Sequence, residues 1–144
     1  MKGTTIDPNI TTFSVQPFMN RASRVKPTLS QDFTNTLNDY IQANTKLRQI
    51  NGLGDVDFKG EITNYDVRPT AITASDVASL TRFTMAVKIT YTDNINPDNN
   101  FETTISRYRD YDSSKDFSSV EEELVTEMTD EIVEQIFNKA FVNW

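Results

Sequence analysis

The sequence predicts an α+β fold, a two-layer sandwich in which two helices pack on one face of a four-stranded, mostly antiparallel sheet. Two stretches repeat apolar residues at helical spacing, and four others alternate polar and apolar residues as strands do. The resulting order is β-α-β-β-β-α. A helix with a single apolar stripe can bury that stripe only against a second layer, which here is the sheet.

The length of the chain is typical of one domain with a single core. It has 144 residues, and we expect residues 1–9 to form a polar N-terminal tether and residues 10–144 to form the domain. Hydrophobic residues make up 37% of the chain, which predicts a thin core and a largely polar surface. Nine Phe and five Tyr partly compensate, because each aromatic side chain buries a large area.

The first elements are a strand and a helix joined by a basic loop. Alternation over Ile10–Phe18 predicts the strand, and Pro17 indicates an edge position or the end of that strand. Apolar residues then recur at helical spacing over residues 29–47. Thr28 and Ser30 are the candidate N-caps of this helix.

The second strand is irregular and the third is not. In the second strand the apolar phase slips by one residue between Ile62 and Tyr65, which predicts a β-bulge near Thr63–Asn64. The third strand, Leu80–Tyr91, alternates without interruption. We expect its apolar side chains to form core rather than a ligand groove; they are Phe83, Met85, Val87, Ile89 and Tyr91.

A hairpin connects the third strand to the fourth. Residues 93–100 are dense in turn formers, and the fourth strand begins at Phe101. Its apolar phase changes before Tyr108, which predicts a second irregularity and a twisted, bulged sheet.

The last element is a long helix with Ser118 or Ser119 as its N-cap. Its predicted apolar stripe consists of Val120, Leu124, Met128, Ile132, Ile136, Ala140 and Phe141. The terminal residues Phe141, Val142 and Trp144 either complete the core or form an exposed apolar end that docks on a partner.

Charge and composition exclude several classes of function. The net charge of −7 opposes binding to phosphate backbones, so nucleic acid is not an expected partner. The chain has no His and no Cys, so the common nucleophile–base pairs and thiolate metal sites cannot form. We therefore expect no enzyme activity, no cofactor and no catalytic or metal-binding residues.

Three segments resemble a known family. They are TFSVQPFMNRASRVKPTLSQDFTNTL at residues 12–37, GEITNYDVRP at residues 60–69 and FNKAFVNW at residues 137–144. Together they look like the LptE-type lipopolysaccharide-assembly lipoproteins, in the version found in Bacteroidota-like bacteria, and the resemblance extends over residues 5–144. It implies a non-enzymatic protein that plugs a large outer-membrane β-barrel translocon, of the LptD type, and helps to deliver lipopolysaccharide to the cell surface.

The resemblance also implies a location and an assembly state. Family members are lipid-anchored at the periplasmic face of the outer membrane, through a Cys that follows a signal peptide. Neither precedes Lys2–Pro8 here, so we expect this chain to be cut downstream of that Cys. Membrane attachment would then need the missing anchor, and the isolated domain should be a monomer.

Basic residues give the one hypothesis for a contact site. If the ligand is lipopolysaccharide, its lipid A phosphates would be bound by cationic side chains. The candidates are Arg21, Arg24 and Lys26 in the loop at residues 19–27, and Arg82 and Lys88 on the non-core face of the third strand. Arg107 and Arg109 in the fourth strand are further cations. The simpler interpretation is that these residues pair with nearby acids and only keep the protein soluble.

An alternative function is a periplasmic carrier of a small ligand or lipid. A carrier needs a sizeable apolar cavity. The regular alternation of the predicted core gives no sign of one.

Overall fold

The computed structural model describes residues 6–22, 26–70 and 79–142, and it has the predicted α+β fold. Arg24 and Trp144 lie outside the described residues. The elements are β1 (Thr12–Val15), β2 (Met19–Asn20), α1 (Leu29–Asn44), β3 (Arg48–Gln49), β4 (Val56–Pro69), β5 (Leu80–Asp93), β6 (Phe101–Asp112) and α2 (Phe117–Phe141). A single 3-10 turn, Pro97–Asn99, lies in the β5–β6 hairpin.

The strands form one mixed sheet in the order β3-β1-β4-β5-β6, and β2 also pairs with β4. The long strands β4, β5 and β6 are antiparallel neighbours, whereas β1 runs parallel to β4 and connects to it through α1. The mostly antiparallel sheet and the two helices are therefore confirmed. The strand count differs, because β2 and β3 have two residues each and are too short to show an alternating pattern.

A proline interrupts the first strand. β1 and β2 lie along the same edge of β4, with Phe13 opposite Val56 and Met19 opposite Glu61. Pro17 stands between them, and it has no N–H to donate to the ladder. The chain rejoins β4 when the Arg21 N–H donates to the Ile62 carbonyl at 2.8 Å.

Gly60 makes close packing at this interruption possible. A Cβ on this residue would lie 2.3 Å from the Lys88 carbonyl oxygen and 2.7 Å from the Phe18 ring. Phe18 is buried and its ring centroid is 4.8 Å from that of Phe33 on α1. The missing side chain of Gly60 thus lets the first helix anchor against the sheet.

The predicted β-bulge is confirmed, and the second predicted irregularity is wrong. The register of β4 against β5 shifts between Ile62 and Asn64, which returns Tyr65 to the core. The register of β6 against β5 is continuous over the whole of Phe101–Asp112. Tyr108 therefore keeps the pleat of its strand and is 53% exposed on the face away from the helices.

Both helix starts depend on packing rather than on side-chain caps. Thr28 occupies the N-cap position of α1 but its side chain accepts no capping hydrogen bond, and α1 ends at Asn44. The N-cap position of α2 belongs to Asp116, so the predicted caps Ser118 and Ser119 are wrong and lie inside the helix. The first residue of α2, Phe117, packs its ring on the sheet aromatics Tyr65, Phe83 and Tyr111.

The core lies between the helices and one face of the sheet. The alternating face of β5 is buried as predicted, and Phe141 of the C-terminal segment is also core. The predicted stripe of helix α2 is confirmed in part: Val120, Leu124 and Ala140 are only half-buried, while other residues are buried because the helix contacts both the sheet and α1. Its buried side chains are Val125, Met128, Thr129, Ile132, Val133, Ile136, Phe137 and Phe141.

Candidate functional site

The sheet has a second face that α1 and α2 do not cover, which we call the exterior face. Because side chains alternate along a strand, the residues of β5 that lie between core positions point to this face. Arg82 and Lys88 are two of them, as predicted. Arg82 lies opposite Arg68 on β4 and Asp110 on β6. Lys88 lies opposite Glu61 on β4 and Thr104 on β6.

Each predicted cation that the structure describes pairs with a carboxylate. Arg21 Nε is 3.5 Å from Glu61 Oε2, and Lys88 Nζ is 2.9 Å from Glu102 Oε2. Arg82 binds Asp110 through two hydrogen bonds of 2.8 and 3.0 Å. Its guanidinium also lies 3.9 Å from the centroid of the Tyr108 ring.

Lys26 belongs to a different part of the molecule. Its Nζ is 3.7 Å from Asp32 Oδ2 in the first turn of α1. The four predicted residues that the structure describes therefore do not form one patch. Arg21 and Lys88 come together. Arg82 lies six residues before Lys88 in β5, which places it about 20 Å away at about 3.3 Å per residue. Lys26 adjoins the helix layer.

The Arg21–Lys88 pair forms the centre of a small cluster. Glu61 lies between the two cations, because it is paired with Arg21 and stands opposite Lys88 in the β4–β5 register. Lys59 lies on the same face of β4 as Glu61, two residues before it. Within the described part of the chain, Lys59 forms no ion pair. We call Arg21, Lys59, Glu61 and Lys88 the β4–β5 cluster.

A surface depression of about 340 Å³ opens beside this cluster. It is lined by Gln16, Pro17, Met19, Lys59, Gly60, Glu61, Lys88 and Thr90. Met19 is 51% exposed there, so the depression combines an apolar wall with two ammonium groups. That combination suits a ligand with an anionic group next to a hydrocarbon portion.

Two ion pairs of the exterior face, Lys88–Glu102 and Arg82–Asp110, each shift the pKa of at least one of their groups. The hydrogen bond to Glu102 raises the pKa of Lys88, and the hydrogen bond from Arg82 lowers the pKa of Asp110. Both effects favour the charged forms of the paired groups. The exterior face thus carries closely spaced charges of both signs, and these two ion pairs are partly accessible to water.

Sequence reasoning missed Lys59, and it grouped Arg107 and Arg109 with the other cations. Lys59 could have been recognised from the sequence, because it points to the same face as Glu61 on the second predicted strand. Arg107 and Arg109 instead face the helix layer. Arg109 Nη2 is 2.5 Å from Glu131 Oε2, and Arg107 Nη2 is 2.5 Å from Gln135 Oε1, so both fasten β6 to α2.

No metal centre or membrane-crossing helix emerges from residues 6–22, 26–70 and 79–142. Within these ranges no three acidic side chains converge as metal ligands would. The two helices lack the apolar length required to cross a bilayer.

Comparison with known proteins identifies the family. The model of a lipopolysaccharide-assembly family, LptE, matches residues 10–140. The chain belongs to the LptE family. This confirms the resemblance of the three segments, and it makes the chain a member of a family of lipopolysaccharide-assembly lipoproteins rather than of an enzyme family.

Solved structures of similar fold support the LptE-family architecture. A minor lipoprotein from Acinetobacter baumannii has a TM-score of 0.58 and 15% identity, over 91% of this chain and 92% of that one. The rare lipoprotein B from Shewanella oneidensis has a TM-score of 0.57 and 12% identity, over 87% and 91% of the two chains. At such identities the likeness concerns the fold. No curated protein sequence matches the chain.

Proposed function

We propose that this chain is the periplasmic domain of a non-enzymatic lipoprotein that plugs and supports an LptD-like outer-membrane β-barrel and helps to deliver lipopolysaccharide to the cell surface. The observation that carries the proposal is the LptE-family match over residues 10–140. In the full-length protein, an N-terminal lipid anchor would hold the domain at the periplasmic face of the outer membrane.

The surface chemistry of the domain suits a plug. The lumen of a large outer-membrane barrel is polar and contains water. Most apolar side chains of β5 and α2 are turned into the core, with Leu80 an exposed exception, while the exterior face carries ion pairs such as Arg82–Asp110. A folded domain with this surface can sit in a wet lumen without exposing a large apolar area.

Contact with lipopolysaccharide is the finer part of the proposal. Lipid A presents phosphates beside acyl chains, and the β4–β5 cluster offers cations beside the apolar wall formed by Pro17 and Met19. We propose Arg21, Lys59 and Lys88 as the main contacts. Arg24, Lys26 and Arg82 are secondary candidates. A phosphate would compete with Glu61 and Glu102 for the paired cations, whereas Lys59 can accept it directly.

The barrel partner is tested by a pull-down from native outer membranes. The full-length gene product, tagged at its C-terminus, is extracted in mild detergent and its partners are identified by mass spectrometry. Recovery of one large outer-membrane β-barrel in near-equal amount supports the proposal. Recovery of the protein without a barrel but with bound lipid contradicts it and favours the carrier function.

The glycolipid contact is tested by charge reversal. Lys59→Glu combined with Lys88→Glu should weaken the binding of purified lipopolysaccharide, because two attractive charges become repulsive. Lys46→Glu combined with Lys139→Glu is the matched control, since these residues lie in the loop after α1 and on α2, away from the exterior face. Thermal unfolding establishes that the variants are folded. Equal binding by the double variant and the control would disprove the contact while leaving the barrel partner untouched.

A further inference from the structure

Strand β6 is a long outer strand of the sheet. It has one neighbour, β5, among the described strands, and it pairs with β5 along all twelve of its residues without a bulge. Its sequence, FETTISRYRDYD, contains neither Pro nor Gly. The opposite outer strand, β3, has two residues. β6 thus lacks three of the devices that prevent strand pairing at an edge, namely prolines, bulges and short length, although five of its residues are charged.

The outward main-chain groups of β6 can be assigned from one hydrogen bond. The Ser113 N–H donates to the Ser79 carbonyl at 3.1 Å, immediately beyond the ladder. In an antiparallel pair, successive residues direct their N–H and C=O groups alternately toward the neighbour and away from it. The odd-numbered residues of β6 therefore bond to β5. Even-numbered residues such as Thr104, Ser106 and Tyr108 direct theirs outward. The outward carbonyls of Ser106 and Tyr108 accept hydrogen bonds from the guanidinium groups of the next residues at 3.4 and 3.1 Å, whereas the outward N–H groups remain for an added strand.

A groove runs between this edge and α2. Its volume is about 590 Å³, and its lining consists of Arg107, Glu131, Glu134, Gln135, Asn138 and Lys139. Arg107 and Arg109 hold α2 beside the strand through Glu131 and Glu127. A groove between an outer strand and a helix is the arrangement that admits an additional strand.

We propose that β6 is a strand-addition site for an extended segment, rich in Lys or Arg, of another protein. Glu102, Asp110 and Asp112 stand in the exterior row of β6, and that row contains no cation. Glu102 and Asp110 are paired with cations of β5 on one side, so an added strand would approach them from the other side. Side chains of an added strand would lie next to this row, where opposite charges stabilise the pair and like charges destabilise it. The inference does not depend on which protein supplies the segment, so it stands independently of the barrel partner.

Charge also argues against a second copy of this chain as the occupant. Two antiparallel registers would pair β6 with itself over the longest overlap. The register centred on Ser106 places Glu102 opposite Asp110 of the second copy, and the register centred on Arg107 places two Arg107 side chains opposite each other. A basic segment avoids both conflicts.

Amide hydrogen exchange monitored by NMR tests the proposal. The probe is a synthetic peptide of about ten alternating Thr and Lys residues, long enough to span most of β6. It should slow the exchange of the Thr104, Ser106 and Tyr108 amides by about tenfold or more, because their N–H groups acquire partners. A peptide with Glu in place of Lys, and a Lys peptide with Pro in place of Thr, should not protect them. Equal protection by either control overturns the proposal.

Two sets of variants complete the test. Ser106→Pro removes one outward N–H and should weaken peptide binding, whereas Ser106→Ala keeps it and should bind normally. Where Ser106→Pro fails to fold, the exchange Lys88→Glu with Glu102→Lys retains an ion pair but places a cation in the exterior row, so the Lys peptide should bind less well. Unchanged binding in folded variants overturns the proposal. Concentration-dependent protection without peptide would identify a second copy as the occupant and would also overturn it.

Discussion

The two faces of the sheet are stabilised by different interactions, apolar burial on one and ion pairs on the other. On the helix-covered face, Phe33, Met85 and Ile132 have no exposed surface. On the exterior face, the side chains of Arg82 and Lys88 are each 43% exposed and are held by ion pairs. Burial of large apolar side chains contributes several times more stability than exposed ion pairs do. The exterior face can therefore serve recognition at little cost to the fold.

Truncation of Phe33 gives the largest expected effect. Phe33→Ala should lower the free energy of unfolding by about 3–5 kcal/mol, because it leaves a cavity beside Phe18. Tyr108→Ala removes an aromatic side chain of similar size from the exterior face and should cost less than about 1 kcal/mol. Urea denaturation of both variants measures the difference. Similar losses would show that the two faces do not divide stability in this way.

Asp57 sharpens the comparison, because it lies on the exterior side of β4 and yet is buried. Its Oδ1 accepts hydrogen bonds from Ser14 Oγ at 2.6 Å and from Gln16 Nε2 at 2.7 Å. Asp57→Ala should destabilise the protein by about 1–3 kcal/mol, since it leaves the buried Ser14 hydroxyl without an acceptor and removes one of the two acceptors of Gln16 Nε2. Asp66→Ala on the same strand removes an exposed partner of Arg68 and is the matched control. An equal effect of the two substitutions would mean that burial at Asp57 is unimportant.

The Arg82–Asp110 pair should contribute little to stability. A double-mutant cycle with Arg82→Ala and Asp110→Ala is expected to give a coupling free energy of about 0–1 kcal/mol, because both groups remain in contact with water. Chemical denaturation of the four proteins measures it. A coupling free energy above about 2 kcal/mol would show that ion pairs of the exterior face contribute substantially to the stability of the fold.

Acid should affect the same pair by a small amount. Hydrogen bonding from Arg82 holds the pKa of Asp110 below its ordinary value. A carboxyl whose folded-state pKa is depressed stabilises the protein above its unfolded pKa, about 3.9 for Asp, and loses that contribution as the pH falls through the folded value. Stability measured between about pH 5 and pH 2 should fall slightly less in Asp110→Asn than in the unaltered protein. Identical pH profiles would show that Asp110 does not contribute.

Much of the fold could be predicted from the period and phase with which apolar residues recur in the sequence. The alternation of β5 and the slip at Ile62–Asn64 are local signals, and both appear in the structure. The phase of β6 was misread because Tyr108 is aromatic and yet lies on the exterior face, above Arg82. The start of α2 was missed for a related reason, since Phe117 is fixed by distant aromatic rings rather than by a local cap.

The candidate site was harder to predict, because it depends on pairings between distant segments. Arg21 and Lys88 meet only because β2 adds parallel to β4 while β5 adds antiparallel on the other side. A two-residue strand after Pro17 has no pattern that would reveal its register. The faces of individual strands were therefore predictable, whereas the grouping of their charges across the sheet was not.

The position of β4 has a consequence for the order of folding. β4 pairs with β1, β2 and β5, so the first strand of the chain cannot find its place before residues 56–62 are available. The β5–β6 hairpin closes across a short turn, whereas pairing β1 with β4 requires the closure of a much longer loop, which costs more entropy and favours slower formation. The β4–β5–β6 meander should thus be the first part of the sheet to form, and the N-terminal strand the last to dock.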